Sequence, residues 1–350
     1  MSAEAETAVR SAQAATAAPF ADSRQQLLAA LAYADLRVRW AVARARAHGL
    51  DPADEFRGLY ITEGQVDALL ENGLGYHVWS KPNGQQPELA EWPDTVAHAR
   101  RQLAARNQAS KDLLLGDLID NFDLSAAEVD VLLLTLAPEI DPRYERLYSY
   151  LQDDVTKKRP SVDLMLNLLS DRFEEKLALR RYFTDEATLF RSRLLERGSD
   201  GGREATLLSQ TLRPAARVVE HLLGIPGLDS QLSGVAELML HDDTAECPQL
   251  PETLLRRLEE AVEAAPDERP MLAFRGPYGV GKRRAAEHVA CRLNRPLITT
   301  NLAALAAQDA DLSEALRLAL RDGRLLHAVV YLVGWDAVLK DGRPPLGLFR

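Results

Sequence analysis

Apolar residues recur at helical spacing through most of the first 180 positions. Leu27, Leu28, Leu31, Leu36, Val38, Trp40 and Val42 predict a helix from about Ser23 to His48, ended by Gly49. Arg37, Arg39, Arg44 and Arg46 load its C-terminal half, where the helix dipole favours cations. Thr62 and Gln65 form a capping-box pair ahead of Val66, Leu69 and Leu70, predicting a second, short helix. Further helices are expected at 94–106, 110–121, 125–137, 142–151 and 161–177, with a capping box at Ser125 and Glu128 and with Pro138, Pro142 and Pro160 as separators. Past Tyr182 the pattern changes. Thr188–Glu196 and Glu204–Arg213 read as two strands joined by the glycine-containing polar loop Arg197–Arg203. Helices followed by a β-hairpin describe a winged-helix layout.

Beyond the hairpin the composition shifts. Residues 237–268 carry ten Asp/Glu against Arg256 and Arg257, and read as a connector with one amphipathic helix at about 252–265. An apolar run, Met271–Arg275, predicts a strand; a helix then reaches Leu293, and His327–Asp336 predicts another strand. Six segments result: a mobile tail over 1–20, an N-terminal helical segment over 21–72, a linker over 73–93 rich in Gly and Pro, a winged-helix domain over 94–235, the acidic connector over 236–268 and an α/β portion over 269–350. The fold class is mainly α with α/β.

Charge and cysteine content narrow the function. The 350 residues hold 42 Lys/Arg and 52 Asp/Glu, a net charge of −10, which disfavours a nucleic-acid coat protein. From Thr156 to Arg217 the balance is 13 basic to 9 acidic, but the helix expected to enter a groove, Ser161–Arg172, carries Asp163, Asn167 and Asp171 on its polar face. Carboxylates there repel phosphates, so protein contact or domain packing is favoured over DNA reading. Two cysteines, Cys247 and Cys291, exclude a disulfide scaffold, a Cys-rich zinc module and an iron–sulfur cluster, and fit a reducing cytoplasm. Glu4 and Glu6 argue against a signal peptide, and no apolar run approaches the roughly 18 residues of a membrane span.

The sharpest chemistry lies in Gly276-Pro277-Tyr278-Gly279-Val280-Gly281-Lys282-Arg283. Gly276, Gly281 and Lys282 satisfy seven positions of the phosphate-binding loop: glycines let backbone amides curl around phosphate oxygens, and the lysine reaches the terminal phosphates. The eighth position departs from the pattern. A Ser or Thr hydroxyl ligates Mg²⁺ there; Arg283 cannot ligate a cation, and is expected instead to neutralise phosphate charge. The acid-ended strand that completes such sites is altered too. His327–Asp336 has Val333 and Gly334 where Asp-Glu would stand, and Asp336 lies beyond the strand end. A nucleotide is therefore the expected ligand (ATP, on the family resemblance that follows), Mg²⁺ is doubtful at this module, and no catalytic residue is assigned.

These residues resemble an AAA+ ATPase core. The block Leu124–Leu169, with Leu132–Tyr148 and Leu151–Pro160, and the stretch Arg57–Ile61 resemble more specifically the N-terminal winged-helix region of bacterial AAA+ ATPases found with phage-tail-like contractile injection systems. The resemblance extends from about Ser23 onward. It implies a ring-forming homo-oligomer, hexameric in the family, that remodels or loads a protein cargo, with a first module often degenerate and a second, intact module downstream. It also implies a strand order of 5-1-4-3-2. The fourth strand, sensor residues, arginine finger and lid have no counterpart in these residues, so a fragment, or a chain completed by another polypeptide, is expected. The alternative is a non-catalytic winged-helix adaptor on a pseudo-ATPase platform; a DNA-binding regulator is third.

Other residues read as structural. His288 and Cys291 are expected to pack rather than bind metal, Glu287 to be a surface charge, and Trp335 to lie in a core or interface. Asp141, Arg143, Glu145 and Arg146 read as a salt-linked helix start.

Overall fold

The computed structural model describes residues 18–47, 91–198, 206–240, 246–263, 271–308 and 311–339. They fall into two compact units, Met1–Ile225 and Pro226–Arg350. The expected tail up to residue 17, the 62–70 helix, Arg57–Ile61, most of the 73–93 linker and most of the hairpin loop lie outside the described residues. No described helix is long and apolar enough to cross a membrane.

In the first unit, α1 (Ser23–Ala47) packs against α2 (Trp92–Gln108), α3 (Leu114–Asn121), α4 (Ala126–Ile140) and α5 (Arg143–Leu151). The N-terminal helix thus packs on the helices that follow it. Trp92 and Pro93, read as linker, open α2, where a proline is tolerated in the first turn. Gln26 of α1 is fully buried and stitches the helices together: its amide nitrogen donates to Asn107 Oδ1 at 3.2 Å, and its carbonyl oxygen accepts from the Leu115 amide at 3.1 Å.

The core of this unit is α4. Its predicted capping box is present, with the Ser125 amide donating to Glu128 Oε2 at 2.9 Å and the Ser125 hydroxyl accepting from the Glu128 amide. Pro138 does not end this helix, contrary to the sequence expectation. A proline inside a helix removes the amide that would bond the carbonyl four residues earlier. That carbonyl belongs to Leu134, and the buried Tyr148 hydroxyl donates to it at 2.6 Å. Asp141 and Arg143 form the expected salt-linked start to α5, 2.9 Å apart.

The predicted 161–177 helix is two helices, α6 (Val162–Leu169) and α7 (Phe173–Leu179), separated by an extended turn. Arginines of α1 explain the break. Arg37 Nη1 donates to Leu168 O at 2.9 Å, Arg44 Nη2 to Asn167 O at 3.2 Å and Arg44 Nη1 to Ser170 O at 3.4 Å. The last carbonyls of α6 are thereby capped by cations. A 3₁₀ turn (Arg180–Phe183) and α8 (Thr188–Arg191) follow, so the first hairpin strand begins only at Leu195. The strands β1 (Leu195–Gly198) and β2 (Thr211–Pro214) pair antiparallel, Leu195 opposite Pro214 and Gly198 opposite Thr211. Ser161 bridges to Thr211 and adds a third, minimal strand. A short helix, α9 (Ala216–Leu222), ends the unit.

In the second unit, β3 (Ala236–Met239) was hidden from the sequence reading inside the connector. It is followed by α10 (Glu252–Glu263), α11 (Lys282–Arg292), β4 (Leu297–Asn301), α12 (Leu302–Ala307), α13 (Leu312–Leu325) and β5 (Val329–Val333). The sheet order is β3-β4-β5; β3 runs antiparallel and β5 parallel to the central β4. The β4–α12–α13–β5 crossover is a βαβ unit. Leu297, Ile298 and Thr300 of β4 are buried, whereas every residue of β5 is half-buried, as befits an edge. Met271–Arg275 is not a strand: no described neighbour supplies it with ladder partners.

Candidate functional site

The glycine-rich loop leads directly into α11. Gly276, Gly279 and Gly281 have φ of 151°, 82° and 96°, backbone that only glycine adopts without strain. Gly281 caps α11, so the positive end of the helix opens on the loop. Tyr278 and Gly279 form a hydrogen-bonded turn, and Gly281, Lys282 and Arg283 stand at the start of α11, where helix amides have no partner within the helix. The Lys282 ammonium donates to Gly276 O at 2.7 Å and Pro277 O at 3.1 Å. Glycines at positive φ, a helix N-terminus and a lysine folded over the loop come together here, a combination suited to a phosphate group. Tyr278 and Val280 project into solvent. Phe274 anchors the approach to the loop, with its ring 6.4 Å from that of Tyr331 on β5.

Arg283 does not join this set. Its guanidinium bonds Glu287 Oε1 at 3.0 Å and Glu237 Oε2 of β3 at 3.2 Å, and Glu287 raises its already high pKa further. Glu287 is therefore an ion-pair partner rather than a free surface charge. The donor set fits phosphate but not a magnesium ion. Arg283 occupies the hydroxyl position, and β5 ends in Val333, followed by Gly334. Gly334 sits at φ 78°, and a Cβ there would lie 2.9 Å from Ala303 Cβ and 3.0 Å from Ala303 N of α12. The missing acid is thus a packing requirement. Gly334→Glu is expected to destabilise the second unit by about 1–3 kcal/mol in urea unfolding; a variant as stable as the parent would contradict this account. Asp336 is exposed on the following 3₁₀ turn, Trp335–Val338, while Trp335 packs partly buried against the α12–α13 cluster. Among the described residues, no group of three or more His, Cys, Asp or Glu could hold a metal ion.

His288 packs as expected, buried with Nδ1 2.8 Å from Pro248 O. Cys291 differs: it is disulfide-bonded to Cys247, 44 residues earlier, with the Cα atoms 5.6 Å apart. Sequence separation concealed this contact, and the structure does not bear out the reading of both as reduced, independent thiols.

In the first unit, α6, the Ser170–Arg172 turn and α7 form a helix-turn-helix, with the hairpin beside it. Residues 9–236 match the family model described as "Winged helix domain, variant". The chain belongs to this winged-helix family. No curated protein and no solved structure matches it. The match takes in α1 and extends to the start of β3.

Winged-helix domains dock protein or nucleic acid, and charge discriminates between the two. The second helix of the motif, which would enter a groove, is α7 rather than Ser161–Arg172. It begins with Glu174 and Glu175, and its Lys176 is held by Asp163 at 2.6 Å and Asn167 at 2.7 Å. The basic trio beside it is engaged as well: Lys157 with Asp154 at 3.8 Å, Lys158 with Glu145 at 3.9 Å, and Arg159 with Glu139 at 3.2 Å. These pairs partly neutralise the trio within the chain.

Proposed function

We propose that this winged-helix protein binds ATP through Gly276–Lys282 in an AAA+-type module with weak or absent hydrolysis, and docks a protein partner or cargo through the winged helix. In this reading it is a subunit of a cytoplasmic ring that remodels or loads protein during assembly of a contractile injection system. The loop carries the reading: three glycines at positive φ and Lys282 come together at the N-terminus of α11. Gly276, Gly279 and Gly281 admit the phosphates to the backbone, and Lys282 serves the β/γ-phosphates. A non-catalytic adaptor is the second reading, favoured by the Arg283 ion pairs.

The test is thermal unfolding of the parent and Lys282→Ala with ATP, in EDTA and in magnesium. At ATP near 100 times Kd the parent is expected to gain about 2.7 kcal/mol. The gain should be equal in both buffers, because Arg283 stands where a magnesium-ligating hydroxyl would, and should be lost in Lys282→Ala. No shift in the parent, or a shift that Lys282→Ala leaves unchanged, would reject ATP binding and leave the adaptor.

A further inference from the structure

We propose that Cys247 and Cys291 form a redox latch that fixes α10 and its connector on α11 and, through a shared apolar cluster, controls the support of the glycine-rich loop. The last clause rests on the ATP reading above; the latch itself does not.

Two contacts tie the connector to α11, the Cys247–Cys291 bond and the His288–Pro248 hydrogen bond, and Leu250 packs on the apolar cluster of Leu258, Ala285 and Val289. Cys291 and His288 are one helical turn apart, so the connector is tied to successive positions of one face. The hold of α10 itself is slight. Among its described side chains Leu258 alone is buried, against Ala285 and Val289, with Leu254 partly covered. Such an element opens at low free energy unless it is tethered.

The loop depends on the same cluster. Leu272 and Phe274 pack against it, and Phe274 also meets Ala286, Ala290, Leu297 and Tyr331. Among the described residues Met271–Arg275 has no strand ladder, and side-chain packing holds the segment that delivers Gly276 to the start of α11. Release of α10 uncovers Leu272 and one side of Phe274 and loosens that delivery.

The chemistry is thiol–disulfide exchange with a dithiol reductant. Its thiolate attacks one sulfur and the Cys247–Cys291 bond breaks. The reductant's second thiol resolves the mixed disulfide, leaving two protonated protein thiols and an oxidised reductant. Oxidised glutathione drives the reverse reaction, ending as two molecules of glutathione.

The experiment uses the full chain equilibrated with oxidised glutathione or with dithiothreitol. It combines alkylation mass spectrometry with amide hydrogen exchange on the parent and on Cys247→Ser. No alkylatable thiol is expected in the oxidised parent and two in the reduced one. Reduction should accelerate exchange over 252–263 on the order of 100-fold and leave β4 unchanged, which serves as the control for folding. Cys247→Ser should match the reduced parent in both buffers. Thiols that stay alkylatable in oxidised glutathione, or exchange over 252–263 that is the same in both states, overturn the latch. An ATP-induced thermal shift larger in the oxidised parent supports control of the loop, and an equal shift in both states overturns that link. No ATP shift in either state, with exchange responding as expected, rejects the ATP reading and upholds the latch.

Discussion

Asp130→Ala is expected to destabilise the winged-helix unit by about 3–5 kcal/mol, the usual consequence of stripping one partner from a buried ion pair. Asp130 lies on α4 with 2% of its surface exposed. Its Oδ2 accepts from Arg37 Nη2 at 3.3 Å and Arg100 Nη2 at 2.8 Å. Burial pushes the carboxyl up, while the two guanidiniums pull it down. Arg37 is itself buried and cannot turn to water, because its Nε donates to the Tyr33 hydroxyl at 2.7 Å and its Nη1 to Leu168 O at 2.9 Å. Alanine at 130 would leave that cation facing a cavity. Arg100 is partly exposed and can rehydrate, so the penalty falls on Arg37. The double variant Arg37→Met/Asp130→Leu removes both buried charges and should lose less than the two single losses summed, although it gives up the cap on α6. Urea unfolding followed by the fluorescence of Trp40, buried on α1, measures both. A loss under about 1 kcal/mol, the range of exposed pairs, would mean that Asp130 is not desolvated.

The same arginines show what could and could not be read from the sequence. Their place on α1 was legible from periodicity, and dipole complementarity is a sound local reason for basic residues there. Their actual partners, the terminal carbonyls of α6, lie more than 120 residues away, and no local rule connects such positions. Pro138 is a similar case. Helix-breaking is a local tendency, and it was overridden because Tyr148 satisfies the freed carbonyl. The capping box at Ser125 was legible because both of its members lie within one turn. Strand β3 was not: Ala236–Met239 gains its partners only by pairing with β4, about 60 residues on. Conversely Met271–Arg275 has the composition of a strand but no ladder partner among the described residues. In the candidate loop the glycines and Lys282 were legible as a motif. The engagement of Arg283 by Glu237 and Glu287 was not, since one partner arrives on β3. Gly334 looked like a lost acid, and the approach of Ala303 gives the reason.

Arg321→Met should produce a comparable loss, about 3–5 kcal/mol, confined to the second unit. The Arg321 side chain is 1% exposed, that of Asp322 0% and that of Asp229 9%. Arg321 Nη2 bonds Asp229 Oδ2 at 2.7 Å and Asp322 Oδ1 at 2.8 Å, and the Asp229 amide donates to Asp322 Oδ2 at 2.7 Å. This network pins the segment entering β3 to α13, and β3 carries the Glu237 that engages Arg283. Methionine fills much of the volume but leaves two carboxylates close together without a cation. The pH dependence distinguishes this cause from lost packing. Burial already raises the Asp322 carboxyl in the parent despite the neighbouring guanidinium, and removing Arg321 raises it further. A carboxyl whose folded pKa exceeds its unfolded value adds stability below the unfolded value and loses it as pH rises through the folded one. The deficit of Arg321→Met relative to the parent should therefore narrow as pH falls into the range where Asp322 takes up a proton, and widen towards neutrality. Hydrogen exchange resolved by unit reads this directly: β3 and β4 amides should exchange faster at neutral pH, and those of α4 should not change. A deficit that is the same at every pH would assign the loss to packing and remove the electrostatic role given to Arg321.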